Sequence, residues 1–461
     1  MRHVSYPPRR RKNEADLTPQ TRIFLGCPHG MVDAGELMGQ NIREKILTHI
    51  ECRRQEIIGF LRELISFPSI TGNEKEIQHF IAKRLEGLKL KVDMWEPDLE
   101  ELKKHPAYVP VERGYENRPN VVSLYQGIGG GNSLLFNSHV DVIPVGPIEL
   151  WKHGPWAGEI EGGRMYGRGA SDTKSGVAAM TMALETLLQL GVKLKGDVIL
   201  EYTVDEELSG HGTLACILRG YGADAGICCE TSGLHIQPAS IGRIWFDITV
   251  HGKSTGIQRK WEGVSSIDKG YKIVQAIEDL EQMKISEVSH PLYPNIKSAI
   301  PHIVGVFKAG TYPSAFPDRC LLKGSLGTVP GEDSQKVKER FREHILNVAK
   351  TDPWLKHKPP EIRFTGYFAE PSEIPVDHPI CKAVINSFRE VVVKEPEVSG
   401  RKGAADTRFL NTYGQTPTVI FGPGSTDQMH ALNEWVNLED LIVAVKILAL
   451  TIIDWCGYEY P

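Results

Sequence analysis

Five segments of this chain bring an imidazole or a carboxylate to the end of an apolar run. "LLFNSHVDVIPVG", Leu134 to Gly146, finishes on His139 and Asp141 before breaking at Pro144 and Gly146. Asp172 sits in "GRGASDTKSG", a glycine-rich turn entering a helix. Glu206 and Glu207 follow "VILEYTVD", Glu230 follows "DAGICC", and His430 in "GPGSTDQMH" comes shortly after "PTVIF". In open α/β sheets the functional crevice lies outside the carboxyl ends of the strands. These side chains are therefore expected to converge on one edge.

Asp172, Glu207 and Glu230 brought together without cations would repel one another and raise each other's pKa. Divalent metal resolves the conflict, because it takes deprotonated carboxylates and neutral imidazoles. A His and carboxylate set without thiolate suits zinc, and also cobalt or manganese. One His and one carboxylate per ion, with a third carboxylate shared, makes a two-metal site with ions about 3.5–4 Å apart. Asp141 is then expected to accept the far ring N–H of His139 and fix its tautomer. Adjacent side chains on an extended segment diverge, so one of Glu206 and Glu207 ligates while the other is free to take a proton from water.

The elements that must position these groups can be read from periodicity. Apolar residues follow a helical period from Glu44 to Leu88, with a break at Phe67-Pro68-Ser69. Short β-rich runs then alternate with helices up to about residue 240, which implies an α/β sheet covered by helices. Between residues 241 and 368 the order becomes βαββαβ, the ferredoxin-like arrangement. The α/β pattern resumes with "PICKAVINSFREVV" and "TPTVIFGPG". The expected organisation is a discontinuous α/β domain, 44–240 with 369–461, an inserted domain 241–368, and a flexible N-terminal extension 1–43. That extension carries the run Arg9 to Lys12 and alternative starts at Met31 and Met38.

Composition removes other classes. Across 461 residues, 24% are charged and 41% hydrophobic, which is ordinary for a soluble globular protein. A net charge of -5 argues against a nucleic-acid footprint. The apolar stretch Leu438–Trp455 carries Glu439, Asp440, Lys446 and Asp454, so it reads as a core-facing helix and not a membrane span. Eight cysteines without short regular spacing make no disulfide framework, which points to a reducing, cytoplasmic compartment.

At these same residues the sequence resembles the two-zinc hydrolase family of acetylornithine deacetylase, succinyl-diaminopimelate desuccinylase, aminoacylase and glutamate carboxypeptidase. The resemblance runs from about Glu44 to the C-terminus, through "SHVDVIPVG", "WKHGPWAGEIEGGRMYGRGASDTKSG", "VDEELSGHGT" and "FGPGSTDQMH" followed by Glu434. It implies a mixed-sheet catalytic domain with the inserted unit as a lid and homodimer surface. It implies that His139 and Glu230 hold one zinc, Glu207 and His430 the other, and that Asp172 bridges them. Glu206 would be the general base and Asp141 would orient His139. The implied reaction is hydrolysis of an amide-type C–N bond in a small molecule.

The sequence departs from the family in the lid. Where that pattern has a His, an Asn and an Arg, this chain has Gly256 in "GKSTG", Ser314 in "SAFPDRC" and Gly327 in "GTVPGED". Either other lid groups substitute, the nearest polar ones being His251, Lys253, Arg259, Lys260 and Tyr312, or the substrate lacks the carboxylate the Arg would grip. The second reading is preferred, with the glycines making room for a bulkier group. Arg408 in "GAADTRF" is a candidate substrate contact or a structural ion pair, and Lys253 and Arg259 are further substrate candidates. The expectation is a deacylase or amidohydrolase. The alternatives are a carboxypeptidase- or dipeptidase-like metallopeptidase, or a silent metal-containing binding protein.

Overall fold

The structure, a computed structural model, describes residues 41–460. The N-terminal extension lies outside them up to Gln40, and with it the basic run and both alternative starts. The helical region at the start is three helices, Ile42–Cys52, Arg54–Ser66 and Lys75–Gly87. The expected first helix is divided at Arg53, whose guanidinium turns inward onto Glu185.

The main sheet has nine strands. Its four central neighbours are Val198–Thr203, Leu134–His139, Ala225–Cys228 and Thr418–Ile420, in that order. All three pairings among them are parallel, with Leu134 opposite Val198 and Ala225, and Thr418 opposite Gly226. Both faces are covered, so these strands read as continuous apolar runs and not as alternations. Their shared direction sends the segments beginning at Val140, Val204, Cys229 and Phe421 out of the same edge. The antiparallel strands Asn120–Tyr125 and Lys91–Trp95 extend one side.

Helix Lys174–Gln189 is buried almost all round, consistent with its apolar surface on every face. It packs against helices Arg54–Ser66 and Leu438–Cys456. Helix Leu438–Cys456 begins on the Asn437 side chain, which accepts from the Glu439 amide. It is a core helix, as its sequence predicts, and no helix among the described residues is long and apolar enough to cross a membrane.

The second sheet follows the expected βαββαβ order. Strands Gly242–His251, His302–Ala309, Arg319–Thr328 and Glu361–Arg363 alternate with helices Ser266–Glu287 and Ser334–Lys350. Ile244, Phe246, Ile248 and Val250 face the helices and form a separate core with Ile273, Ile277, Phe341 and Ile345. The last predicted strand, "EIRFTGYF", is broken. Gly366 adopts φ +82°, and the chain rejoins the sheet only at Phe368–Ala369.

Candidate metal centre

His139 ends the central strand and is 2% exposed. Its Nδ1 lies 2.9 Å from the main-chain oxygen of Asp141. A carbonyl only accepts, so the proton sits on Nδ1 and the Nε2 lone pair is left for the cluster. Nε2 is buried without a hydrogen-bond partner. It faces Glu230 Oε1 at 3.0 Å, Asp172 Oδ1 at 3.4 Å and Glu206 Oε2 at 4.0 Å. His430, at φ +61°, turns Nε2 to Glu207 Oε2 at 3.0 Å and to Asp172 Oδ2 at 3.5 Å. Asp172 thus presents one oxygen to each imidazole. In the groups His139–Glu206–Glu230 and Asp172–Glu207–His430, ligand atoms all lie within 4.8 Å of one another.

The electrostatics of this cluster are those of a place short of positive charge. Burial raises Glu206 well above the ordinary carboxyl range, and neighbouring carboxylates add to it. Glu207 is pushed up to about 7, by burial first. Burial opposes charge on His139, yet the Glu230 carboxylate and its neighbours lift its proton affinity well above normal. A divalent cation bound to the orphaned Nε2 would relieve all three. The donor set fits such an ion.

The Asp141 carboxylate neighbours His139 and also holds the turn of the two glutamates. It lies 3.6 Å from His139 Nδ1, which bonds the carbonyl of the same residue. The carboxylate also accepts Thr71 Oγ1 at 2.8 Å and the amides of Glu206 at 3.1 Å and Glu207 at 3.3 Å. It therefore orients the turn that carries both glutamates. That turn starts at Asp205, held at φ +68°. The Asp205 carboxylate accepts from Arg118 at 2.6 Å and Tyr115 at 3.0 Å, and Arg118 also pairs with buried Glu74.

Two further side chains brace the cluster, and both escaped sequence reasoning as site residues. Glu434 accepts the amides of Gly169, Ser171 and Asp172 at 3.0, 2.8 and 2.9 Å, and pairs with Arg168 at 2.7 Å. It pins the glycine-rich turn that delivers Asp172. Arg401 donates to Glu230 Oε2 at 3.0 Å. Burial would raise the Glu230 pKa, but Arg401 and His139 overcome it and bring it down to about 2. The only sequence signal for Glu434 was its place after "DQMH"; Arg401 gave none.

Among the substrate candidates, Arg408 lies close enough to Glu206 to feel its charge. Arg408 is buried, with its guanidinium on the Ser209 and Ala405 carbonyls at 3.0 and 3.1 Å and near Asp406. Arg259 pairs with Glu262 of its own loop, and Lys253 bridges Val264 through the backbone. Gly256 pairs with Ala315, and with Ser314 and Lys260 it lines a hollow of about 220 Å³. Gly327 opens no space. A Cβ there would meet the Ala299 oxygen at 2.7 Å and Arg243 Nη1 at 3.0 Å.

Known proteins are similar to this chain. N-formyl-4-amino-5-aminomethyl-2-methylpyrimidine deformylase of Halalkalibacterium halodurans is 29% identical, over 90% of this chain and 98% of its own. A metallo-carboxypeptidase from Sulfolobus solfataricus shares the fold, with a TM-score of 0.68 at 22% identity, over 86% of this chain and 98% of that one. A dinuclear metal-binding peptidase of Bacillus subtilis does so with a TM-score of 0.60 at 17% identity, over 88% and 99%. The model of the peptidase family M20/M25/M40 matches residues 135–454. With two imidazoles meeting across one aspartate at the carboxyl edge of its parallel strands, this chain belongs to the M20/M25/M40 family.

Proposed function

We propose that this chain is a cytoplasmic metal-dependent amidohydrolase that removes a formyl group from the amine of a small amino-heterocycle. The observation that carries the reading is Asp172, one oxygen towards His139 and the other towards His430, with Glu206 beside them. His139 and Glu230 would hold one divalent ion, Glu207 and His430 the other, and Asp172 both; zinc suits the donors best, with cobalt or manganese acceptable. Such a pair of ions supplies an acidified water and polarises the amide carbonyl.

The chain's own residues do the rest. Glu206 is desolvated and holds a proton readily, so it takes one from the attacking water and returns it to the leaving nitrogen. The products are formate and a free amine. Arg401 keeps Glu230 ionised, and Glu434 fixes Asp172. The substrate class rests on the similarity to the pyrimidine deformylase. It is supported by Gly327, which has no side chain to grip a carboxylate, and by Arg408, two of whose N–H groups donate to buried carbonyls. Exposed Trp261 and Ile257 on the second sheet's domain support a homodimer through that face.

The deciding experiment is formate release from N-formyl-4-amino-5-aminomethyl-2-methylpyrimidine, with chelation and readdition of Zn²⁺, Co²⁺ or Mn²⁺. Chelator-sensitive release restored by metal is expected. Tight binding of the compound without turnover would indicate a silent binding protein instead.

A further inference from the structure

Tyr367 is where the second sheet's domain reaches the metal-bearing one. The strand before it is interrupted at Gly366, held at φ +82°, where a Cβ would come within 2.9 Å of the Trp245 ring. The Trp245 amide donates to the Tyr367 carbonyl at 3.1 Å, and the chain rejoins the sheet with Phe368 opposite Ile244. Phe368 packs against that domain's apolar core. Adjacent side chains on a strand diverge, so Tyr367 turns away from this core. Its ring lies 5.9 Å from that of Trp245 and 6.0 Å from the Arg408 guanidinium.

Arg408 ties this contact to the metal centre. It donates to the Ser209 carbonyl at 3.0 Å. Ser209 closes the turn of Glu206 and Glu207, its amide donating to the Asp205 carbonyl at 3.0 Å. Burial, chiefly, pushes the Tyr367 hydroxyl up to about 12, and the Glu206 and Glu207 carboxylates lie close enough to add to it. The hydroxyl therefore keeps its proton at neutral pH.

A tyrosine hydroxyl taken from water ordinarily finds a partner. This half-buried one forms no hydrogen bond to another described residue. It is an uncommitted donor close to Glu206, on the domain where Gly256 and Gly327 offer no side-chain donor.

We propose that Tyr367 is a catalytic residue, its hydroxyl donating to the carbonyl oxygen of the scissile amide. As the water oxygen bonds to the carbonyl carbon, the C=O π pair moves onto that oxygen and Glu206 takes the water's proton. When C=O re-forms, the C–N pair leaves with the nitrogen, which takes the proton from Glu206; the formic acid released ionises to formate. Tyr367 keeps its own proton throughout, and its hydrogen bond strengthens as charge develops on the oxygen. The proposal rests on the amide-hydrolase reading for the reaction.

The test compares the full zinc-loaded chain with its Tyr367→Phe variant, which keeps the ring. One readout is formate release from N-formyl-4-amino-5-aminomethyl-2-methylpyrimidine, where kcat should fall about 10²–10³-fold with KM near the parent's. The other is calorimetric binding of methylphosphonate, a tetrahedral oxyanion, which should weaken about tenfold or more. Methylphosphonate binding that is absent from the parent, or equal in the two proteins, overturns the proposal; with turnover lost, it would make the tyrosine a support for Glu206. Equal turnover of the two proteins overturns it as well. Weakened methylphosphonate binding with no formate from the parent keeps the hydroxyl at the reacting oxygen's place and sinks the deformylase reading instead.

Discussion

The amide of Asp172 donates to Glu434 Oε1 at 2.9 Å, across 262 residues of sequence. The residue that faces both imidazoles is therefore positioned by a carboxylate that touches neither. Glu434 is itself buried, and its four donors all come from Arg168–Asp172.

Replacing it tests that bracing. Glu434→Gln leaves Arg168 without a buried counter-charge and weakens three amide contacts. Metal affinity should fall by about 10–100-fold, and folding stability by about 2–3 kcal/mol. Metal titration and denaturant unfolding read the two effects; an unchanged affinity for metal would contradict the bracing role.

Glu206→Gln separates proton transfer from metal binding. Metal content should stay at two ions per chain while kcat falls by about 10²–10⁴-fold. Elemental analysis alongside formate release decides it, and a variant with substantial turnover would reassign the base.

Gly327→Ala should destabilise the second-sheet domain by about 1–3 kcal/mol through overpacking, because the added methyl meets the Ala299 carbonyl and Arg243. Chemical denaturation measures this. A neutral result would mean that the strand relaxes without cost.

His302 gives a pH dependence away from the metal centre. Burial lowers its pKa to about 4, with nearby Lys284 adding to the effect. The folded protein holds this ring neutral while the unfolded chain protonates it near 6.5. The unfolded state therefore binds more protons between pH 6.5 and 4, so stability drops as pH falls through that window, by about 3 kcal/mol from this group. His302→Gln should flatten the dependence. A slope unchanged from the parent protein would assign the loss to other groups.

The βαββαβ order of the second sheet and the five segments whose side chains cluster at one sheet edge were legible in the sequence. Strand ends, turn residues and helical periods are local signals, and the parallel order of strands delivers whatever follows them to one edge. The brackets around those ligands were not legible. Arg401 meets Glu230 across 171 residues, and nothing near either residue encodes the meeting. Asp141 shows the limit differently. Its proximity to His139 was visible, but which of its oxygens takes the ring proton depends on where the Glu206–Glu207 turn lies. Arg408 and Gly327 were read from their places in family-like segments, which carry no signal for the carbonyls around one or the backbone crowding at the other. Local chemistry chose the groups that could hold metal; long-range packing chose the partners that hold those groups in place.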